Sequence, residues 1–370
     1  MERKLATIQI IEKIEPIENA DLIVKANILG WECVVKKDEF KVGDKVIYCE
    51  IDSVLPEKPE FEFLRNRKFR IRTIKLKNQI SQGICFSLFI LPKGNYKKDD
   101  DVTELIGITK YLTPSEVEEN NQEEIKIKKN KIKKFLMRYS LFRKILISKK
   151  QPKGFPQHVA KTDEERVQNF PHVLEQFKDE IVYITEKVDY QSVTFTGKMI
   201  PKFDNIFGKL FKQKFKFIVC SRNFVTNNKN DLYWAIAKKY NIEKILKENS
   251  NLTIQGEQGD TKIQGNKYKI KEPKLWIFNI YDHKKKYLYD FDEMKEFCLK
   301  NNLETVPFLK YFKLSDIGNN VTEFVNFSKG KSIINKEIER EGVVIRCVKN
   351  GQKVLSFKVI NPNFLLKYEN

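Results

Sequence analysis

In the run Ile181-Val182-Tyr183-Ile184-Thr185-Glu186-Lys187-Val188-Asp189-Tyr190-Gln191-Ser192-Val193-Thr194-Phe195, two strand-forming stretches flank a short charged turn. A lysine at the mouth of a sheet becomes a nucleophile when partial burial and neighbouring cations lower its pKa, so Lys187 is a candidate for covalent chemistry. Asp189, two residues on, can turn to the same site and hold a metal-bound water. In a chain with Lys+Arg 69, a single K-x-D is more often a charged turn between strands, so the reading depends on the motifs farther along the chain.

Downstream of Lys187 lies an ordered series of short motifs placed at strand ends. Ser221-Arg222-Asn223 comes after Phe217 to Cys220, and Gln255-Gly256-Glu257 after Leu252 to Ile254. Trp276-Ile277-Phe278-Asn279-Ile280, Glu341-Gly342-Val343-Val344-Ile345-Arg346 and Ser356-Phe357-Lys358 complete it. In this order the set resembles the covalent nucleotidyltransferase superfamily of ATP-dependent ligases and capping enzymes, most closely its RNA ligase branch. The resemblance covers Gly154 to the end.

The resemblance implies that Lys187 attacks the α-phosphate of ATP to form lysyl-AMP. Glu186 would meet the adenine edge and Phe278 its face, while Arg222 and Glu257 would hold the ribose or a metal-bound water. Asp189, Glu257 and Glu341 would position Mg2+ or Mn2+, and Lys358 would stabilise charge on the α-phosphate. Arg166, in Lys161-Thr162-Asp163-Glu164-Glu165-Arg166, lies where related RNA ligases place a phosphate-contacting arginine; a solvated helix face reads equally well. Tyr190 stands where the family usually has glycine, and Ser356 where its last motif often has a lysine.

The elements that must position these residues are legible in outline. From Lys4 to about Pro92 short strands alternate with turns: Thr7 to Ile14, Glu32 to Lys36, Lys45 to Ile51 and Phe69 to Lys77. Such a span predicts an OB-like β-barrel over residues 1–112. The alternation of Phe69 to Lys77 would turn Phe69, Ile71 and Leu76 inward and Arg70, Arg72, Lys75 and Lys77 outward, either as a phosphate groove or as a guarded edge strand. Residues 113–153, acidic at Glu116 to Glu124 and basic at Lys126 to Lys134 and Arg138 to Lys150, read as a charged linker with a basic helix. Residues 154–370 mix strands with helices at Leu232 to Lys247 and Asp292 to Asn301. The predicted fold class is therefore α+β, an OB-like barrel followed by a nucleotidyltransferase domain with antiparallel sheets, ATP-grasp-like in its adenylation role.

A formal charge of +19 favours a polyanionic partner, although a lysine-rich composition accounts for part of it. Six dispersed cysteines without a C-x-x-C pair read as buried thiols of an intracellular, soluble protein. No stretch is long and apolar enough to span a bilayer, so no membrane partner is expected. A strand-rich domain ahead of the catalytic region, with little chain after Lys358, resembles the Naegleria-type RNA ligases. That resemblance implies a monomer joining 3′-hydroxyl and 5′-phosphate RNA ends, with a nicked duplex as the expected partner. A DNA ligase, a capping guanylyltransferase and a non-catalytic nucleic-acid-binding protein on the same fold remain the alternatives.

Overall fold

The computed structural model describes residues 4–112, 155–161, 163–201 and 213–368. They divide into two compact units. One holds residues 4–112 with Gln168–Pro171 and the chain end from Leu365; the other holds residues 155–167 with His172–Phe364. The expected linker helix, and Thr162, lie outside the described residues.

The first unit is built from ten short strands: β1 (Ala6–Ile10), β2 (Lys13–Ile17), β3 (Ala20–Ile28), β4 (Trp31–Lys36), β5 (Lys45–Cys49), β6 (Ser53–Val54), β7 (Ile74–Leu76), β8 (Gln79–Ser81), β9 (Ile84–Phe86) and β10 (Thr109–Lys110). They pair as β1-β5-β9, β2-β3-β4, β6-β10 and β7-β8. The expected strand Thr7 to Ile14 breaks because its ladder changes partner. Ile11 N–H donates to Asp44 O (3.0 Å) and Glu12 N–H to Asn27 O (2.9 Å), so the chain leaves one sheet for the next. Inward positions of β4 and β5 fill the interior, where Trp31 and Tyr48 lie fully buried with ring centroids 6.0 Å apart. Each such side chain contributes roughly 1.5–3 kcal/mol of burial.

The expected strand from Phe69 to Lys77 is only partly one. Phe69 adopts φ 57°, and only Ile74–Leu76 is strand, closing on β8 through Lys77 and Asn78 at φ 45° and 67°. Phe69 and Ile71 are buried as expected, but Leu76 is exposed. Arg70 is not presented to a ligand: its Nη2 pairs with Asp52 Oδ1 at 2.8 Å and its guanidinium lies 3.6 Å from the Tyr111 ring centroid. Lys75 and Lys77 are the exposed cations of the four. Alternation marks which side chains face inward; it does not report whether the backbone finds a ladder partner.

The second unit contains two antiparallel sheets. β11 (Ile181–Lys187), β19 (Phe308–Lys313), β20 (Gly342–Lys349) and β21 (Gln352–Ile360) form a four-stranded sheet in the order β19-β11-β20-β21. β12 (Gln191–Pro201), β13 (Gln213–Cys220), β14 (Val225–Thr226), β15 (Leu252–Gly259), β16 (Lys274–Asp282) and β17 (Tyr287–Leu288) form the larger one, and β18 (Glu304–Thr305) joins β16 in parallel. One face of the larger sheet carries Val193, Phe195, Ile254 and Ile280 against Ile236 and Leu246 and against Phe291 and Met294 from three helices. The helix expected from Leu232 to Lys247 is two, Leu232–Lys239 and Ile242–Glu248, because Asn241 takes φ 53°, which side-chain-bearing residues other than Asn and Asp rarely adopt. Asp290 caps the helix Phe291–Lys300 in a capping box with Glu293. All six cysteines are buried free thiols. Among the described residues no helix is long and apolar enough to cross a membrane.

Candidate active site

Lys187 is the last residue of β11 and lies directly across from Gly342, the first of β20. That register sets Glu341 beside the lysine, whose Nζ donates to Glu341 Oε2 at 2.8 Å. The close approach of β20 to β21 requires the glycine, since a Cβ there would sit 2.2 Å from Val359 O. Across the sheet Thr185 pairs with Val344 and Val344 with Lys358. Paired residues point to one side and alternate residues share a face, so Lys187 and Lys358 project from the same face. Lys358 is fixed by its own N–H to Glu165 O (2.8 Å), in a short bridge that brings Arg166 alongside.

The opposing carboxylate comes from the larger sheet. Glu257, in β15 between Ser192 and Trp276, has a buried Oε2 with no hydrogen-bond partner. Burial pushes its carboxyl up to about 8, partly offset by the Lys187 charge. Burial pushes Lys187 down, but Glu341, Glu257 and Asp189 together outweigh it, and the net shift is upward. The expectation of a lowered lysine pKa is therefore corrected. Its neighbours are mainly carboxylates, which hold its proton, and not the cations that would expel it.

Asp189 lies in the turn after β11. Its N–H donates to Tyr268 Oη (2.9 Å), and its carboxylate pairs with Lys267 on the loop between β15 and β16. Tyr190 fits without disturbing this arrangement. Its ring stacks on Trp276 (5.8 Å, 7°) and covers Gly259, where a Cβ would lie 2.6 Å from the tyrosine ring. Ser356 also has a local reason. Its hydroxyl accepts from Arg346 Nε at 3.1 Å, directly across the ladder, so a lysine there would set one cation against another. Arg346 also donates to Phe278 O and to nearly buried Glu164, both at 2.7 Å. Burial pushes Glu164 up, but Arg346 outweighs it and holds the carboxyl below its ordinary value.

The remaining candidates fall in three places. Glu186 is buried, with Oε2 accepting from Ile333 N–H (2.7 Å) and Oε1 left without a partner, and burial raises its pKa. Phe278 is half-buried in the bulge of β16, 5.8 Å beneath the Arg346 guanidinium. Arg222 pairs with Asp163 (2.7 Å) and remains 45% exposed, so that pair holds it loosely.

Lys187, Asp189, Glu257, Glu341 and Lys358 thus form one electrostatic cluster. Sequence reasoning overlooked Lys267, Tyr268, Glu164 and the role of Arg346. The only advance sign of the first two was the turn pair Gly265-Asn266 before them. Among the described residues no group of three His, Cys, Asp or Glu side chains is spaced to ligate a metal directly.

An OB-fold domain model matches residues 5–88, and the RNA ligase family model matches residues 180–360. The chain is 30% identical to an RNA ligase of Naegleria gruberi solved with pyrophosphate, over 100% of this chain and 99% of that one, with a TM-score of 0.78. A mutant of that enzyme solved with ATP and Mn gives 29% identity, full coverage of both chains and a TM-score of 0.77. Another, with AMP and Mn, gives 29% identity over 98% of each chain and a TM-score of 0.76. Compared by sequence with curated proteins, the chain has no match.

Proposed function

Because the chain belongs to the RNA ligase family, we propose that it joins RNA 3′-hydroxyl and 5′-phosphate ends with ATP, through an adenylate on Lys187. The observation that carries the reading is the Lys187–Glu341 pair at 2.8 Å, set beside the unpartnered carboxylate oxygen of Glu257. The solved relatives bound to ATP and to AMP support the choice of nucleotide.

The lysine must lose a proton to attack. Glu341 Oε2, in hydrogen-bond contact with Lys187 Nζ, is the acceptor placed to take it. Nζ then attacks the α-phosphorus of ATP, a P–N bond forms, and pyrophosphate leaves. Lys358, on the same face, stabilises charge on the α-phosphate. Glu186 Oε1 and the Phe278 ring take the adenine edge and face, Arg222 and Glu257 the ribose, and Arg166 a phosphate.

A divalent cation fits this pocket. Asp189, Glu257 and Glu341 would hold Mg2+ or Mn2+ through its waters, which suits ions reluctant to dehydrate and residues not spaced for direct ligation. Its charge would offset the carboxylates that retain the Lys187 proton and neutralise the phosphates.

In the second step the RNA 5′-phosphate attacks the lysyl-adenylate and frees Lys187. In the third, the 3′-hydroxyl attacks that phosphate and AMP leaves. A nicked duplex suits the reading: residues 1–112 would hold RNA through phosphate and 2′-hydroxyl contacts, and residues 154–370 would act as the adenylyltransferase domain of a monomer.

The test is retention of label from α-labelled ATP on the denatured chain. Label on the wild type and none on Lys187→Ala supports the proposal. No label with either metal defeats it, and sealing of nicked DNA in preference to RNA would reassign the substrate.

A further inference from the structure

The geometry points to a positioning residue that the motif series does not contain: Lys267 occupies the Asp189 carboxylate as a built-in cation and competes with a divalent ion for it. The inference rests on the ligase reading for its purpose, but not for its observation, which is an ion pair inside the pocket.

The loop carrying Lys267 is held from several sides. Gly265 and Asn266 take φ 67° and 46°, reversing the chain just before it. Asn266 Oδ1 accepts from Tyr190 Oη (3.1 Å) and from Ile270 N–H (2.9 Å), while Asn266 Nδ2 donates to Ile270 O (2.9 Å). Tyr268 Oη receives the Asp189 N–H, and Asn335 Nδ2 donates to Tyr268 O at 3.3 Å. Lys267 Nζ lies 5.1 Å from the Phe364 ring centroid, which limits where its ammonium can go. The ammonium is thus presented to Asp189 by an ordered loop. Tyr190, whose hydroxyl fastens Asn266, helps to present it.

Charge explains the consequence. The Asp189 charge acts against Glu341 and Glu257, a repulsion that Lys187, Lys358 and Arg222 counter at those two carboxylates while Lys267 counters it in direct contact with Asp189. An ion using Asp189 must displace a tethered competitor whose effective concentration is on the order of millimolar. The metal concentration needed to reach Asp189 is thereby raised.

Mn2+ binding to the full chain without nucleotide, monitored through loss of the free-ion paramagnetic resonance signal, reads this directly. Lys267→Ala and Lys267→Gln are expected to bind Mn2+ about tenfold tighter than the wild type, and Lys267→Arg to stay near it. In Asp189→Asn the gain from Lys267→Ala should disappear. The proposal is overturned if removing the ammonium leaves Mn2+ affinity unchanged or weaker, or if the full gain persists without the Asp189 charge. Thermal melts establish that each variant is folded. Labelling of Lys187 by ATP is measured separately, so failure of the ligase reading and failure of this one give different results.

Discussion

Two of the cation–carboxylate pairs on the four-stranded sheet are built in opposite ways. At one end Arg346 and Glu164 are nearly buried, 7% and 10% exposed, and the guanidinium also reaches Ser356 and the Phe278 carbonyl. At the other end Lys187 keeps 26% of its side chain exposed, and its single hydrogen-bonded carboxylate is flanked by a second, Glu257, with an unused oxygen. The first pair commits its donors to fixed protein partners and cannot exchange them cheaply. The second has surplus acceptors and an open side, as proton transfer and exchange for a phosphate require. One rigid ladder supports both; the difference lies in how many partners each cation has.

That contrast can be broken from either end. Lys187→Ala should remove the nucleotide adduct entirely while leaving the melting temperature within a few degrees, as labelling and melts on one preparation will reveal. Glu164→Ala should do the reverse. It leaves Arg346 buried without its counter-ion, at a cost of about 3–5 kcal/mol, in denaturant unfolding, while the folded fraction still labels.

Glu257→Gln sharpens the comparison through pH. A carboxyl at about 8 in the folded chain and near 4.5 unfolded stabilises the fold fully below 4.5, and that contribution is lost as pH rises through 8. The variant, which cannot ionise, should therefore gain melting temperature over the wild type progressively between pH 5 and 9. A gap that stays constant with pH would count against an ionisable, buried Glu257.

Gly259→Ala should cost about 1–3 kcal/mol because its Cβ strikes the Tyr190 ring, and that added cost should largely vanish when the substitution is measured against a Tyr190→Gly background. Smallest of all, Arg222→Ala should change stability by less than about 1 kcal/mol, since its pair with Asp163 is exposed. Any effect on adenylation would then report contact with the nucleotide.

The sequence exposes the nucleophile, its carboxylates and Lys358 because each belongs to a short motif in a fixed order, with Lys187 and Glu341 at strand ends and Glu257 and Lys358 within β15 and β21. It is silent where the partner lies far along the chain. Beyond the turn pair Gly265-Asn266, nothing distinguishes Lys267 from other lysines of a Lys-rich loop; its meaning arises only when the loop folds back on Asp189. Glu164 is likewise hidden, since its partner Arg346 is 182 positions away. The lowered pKa expected for Lys187 fails for the same reason, because the carboxylates that raise it come from three separate segments. In the amino-terminal unit, alternation places Phe69 and Ile71 correctly but cannot foresee that Arg70 is claimed by Asp52 and Tyr111.

The buried cysteines bear on how this protein can be watched at work. Burial holds the Cys220 and Cys298 thiols up to about 12, and raises Cys49 further. At neutral pH a thiol-reactive dye should therefore find almost no thiolate at these three positions, and all six native thiols are buried from it. A single cysteine placed at an exposed position, such as Leu299→Cys, would then be labelled alone. The wild-type thiols need no removal first, and a reporter can be attached to the folded ligase without a cysteine-free background.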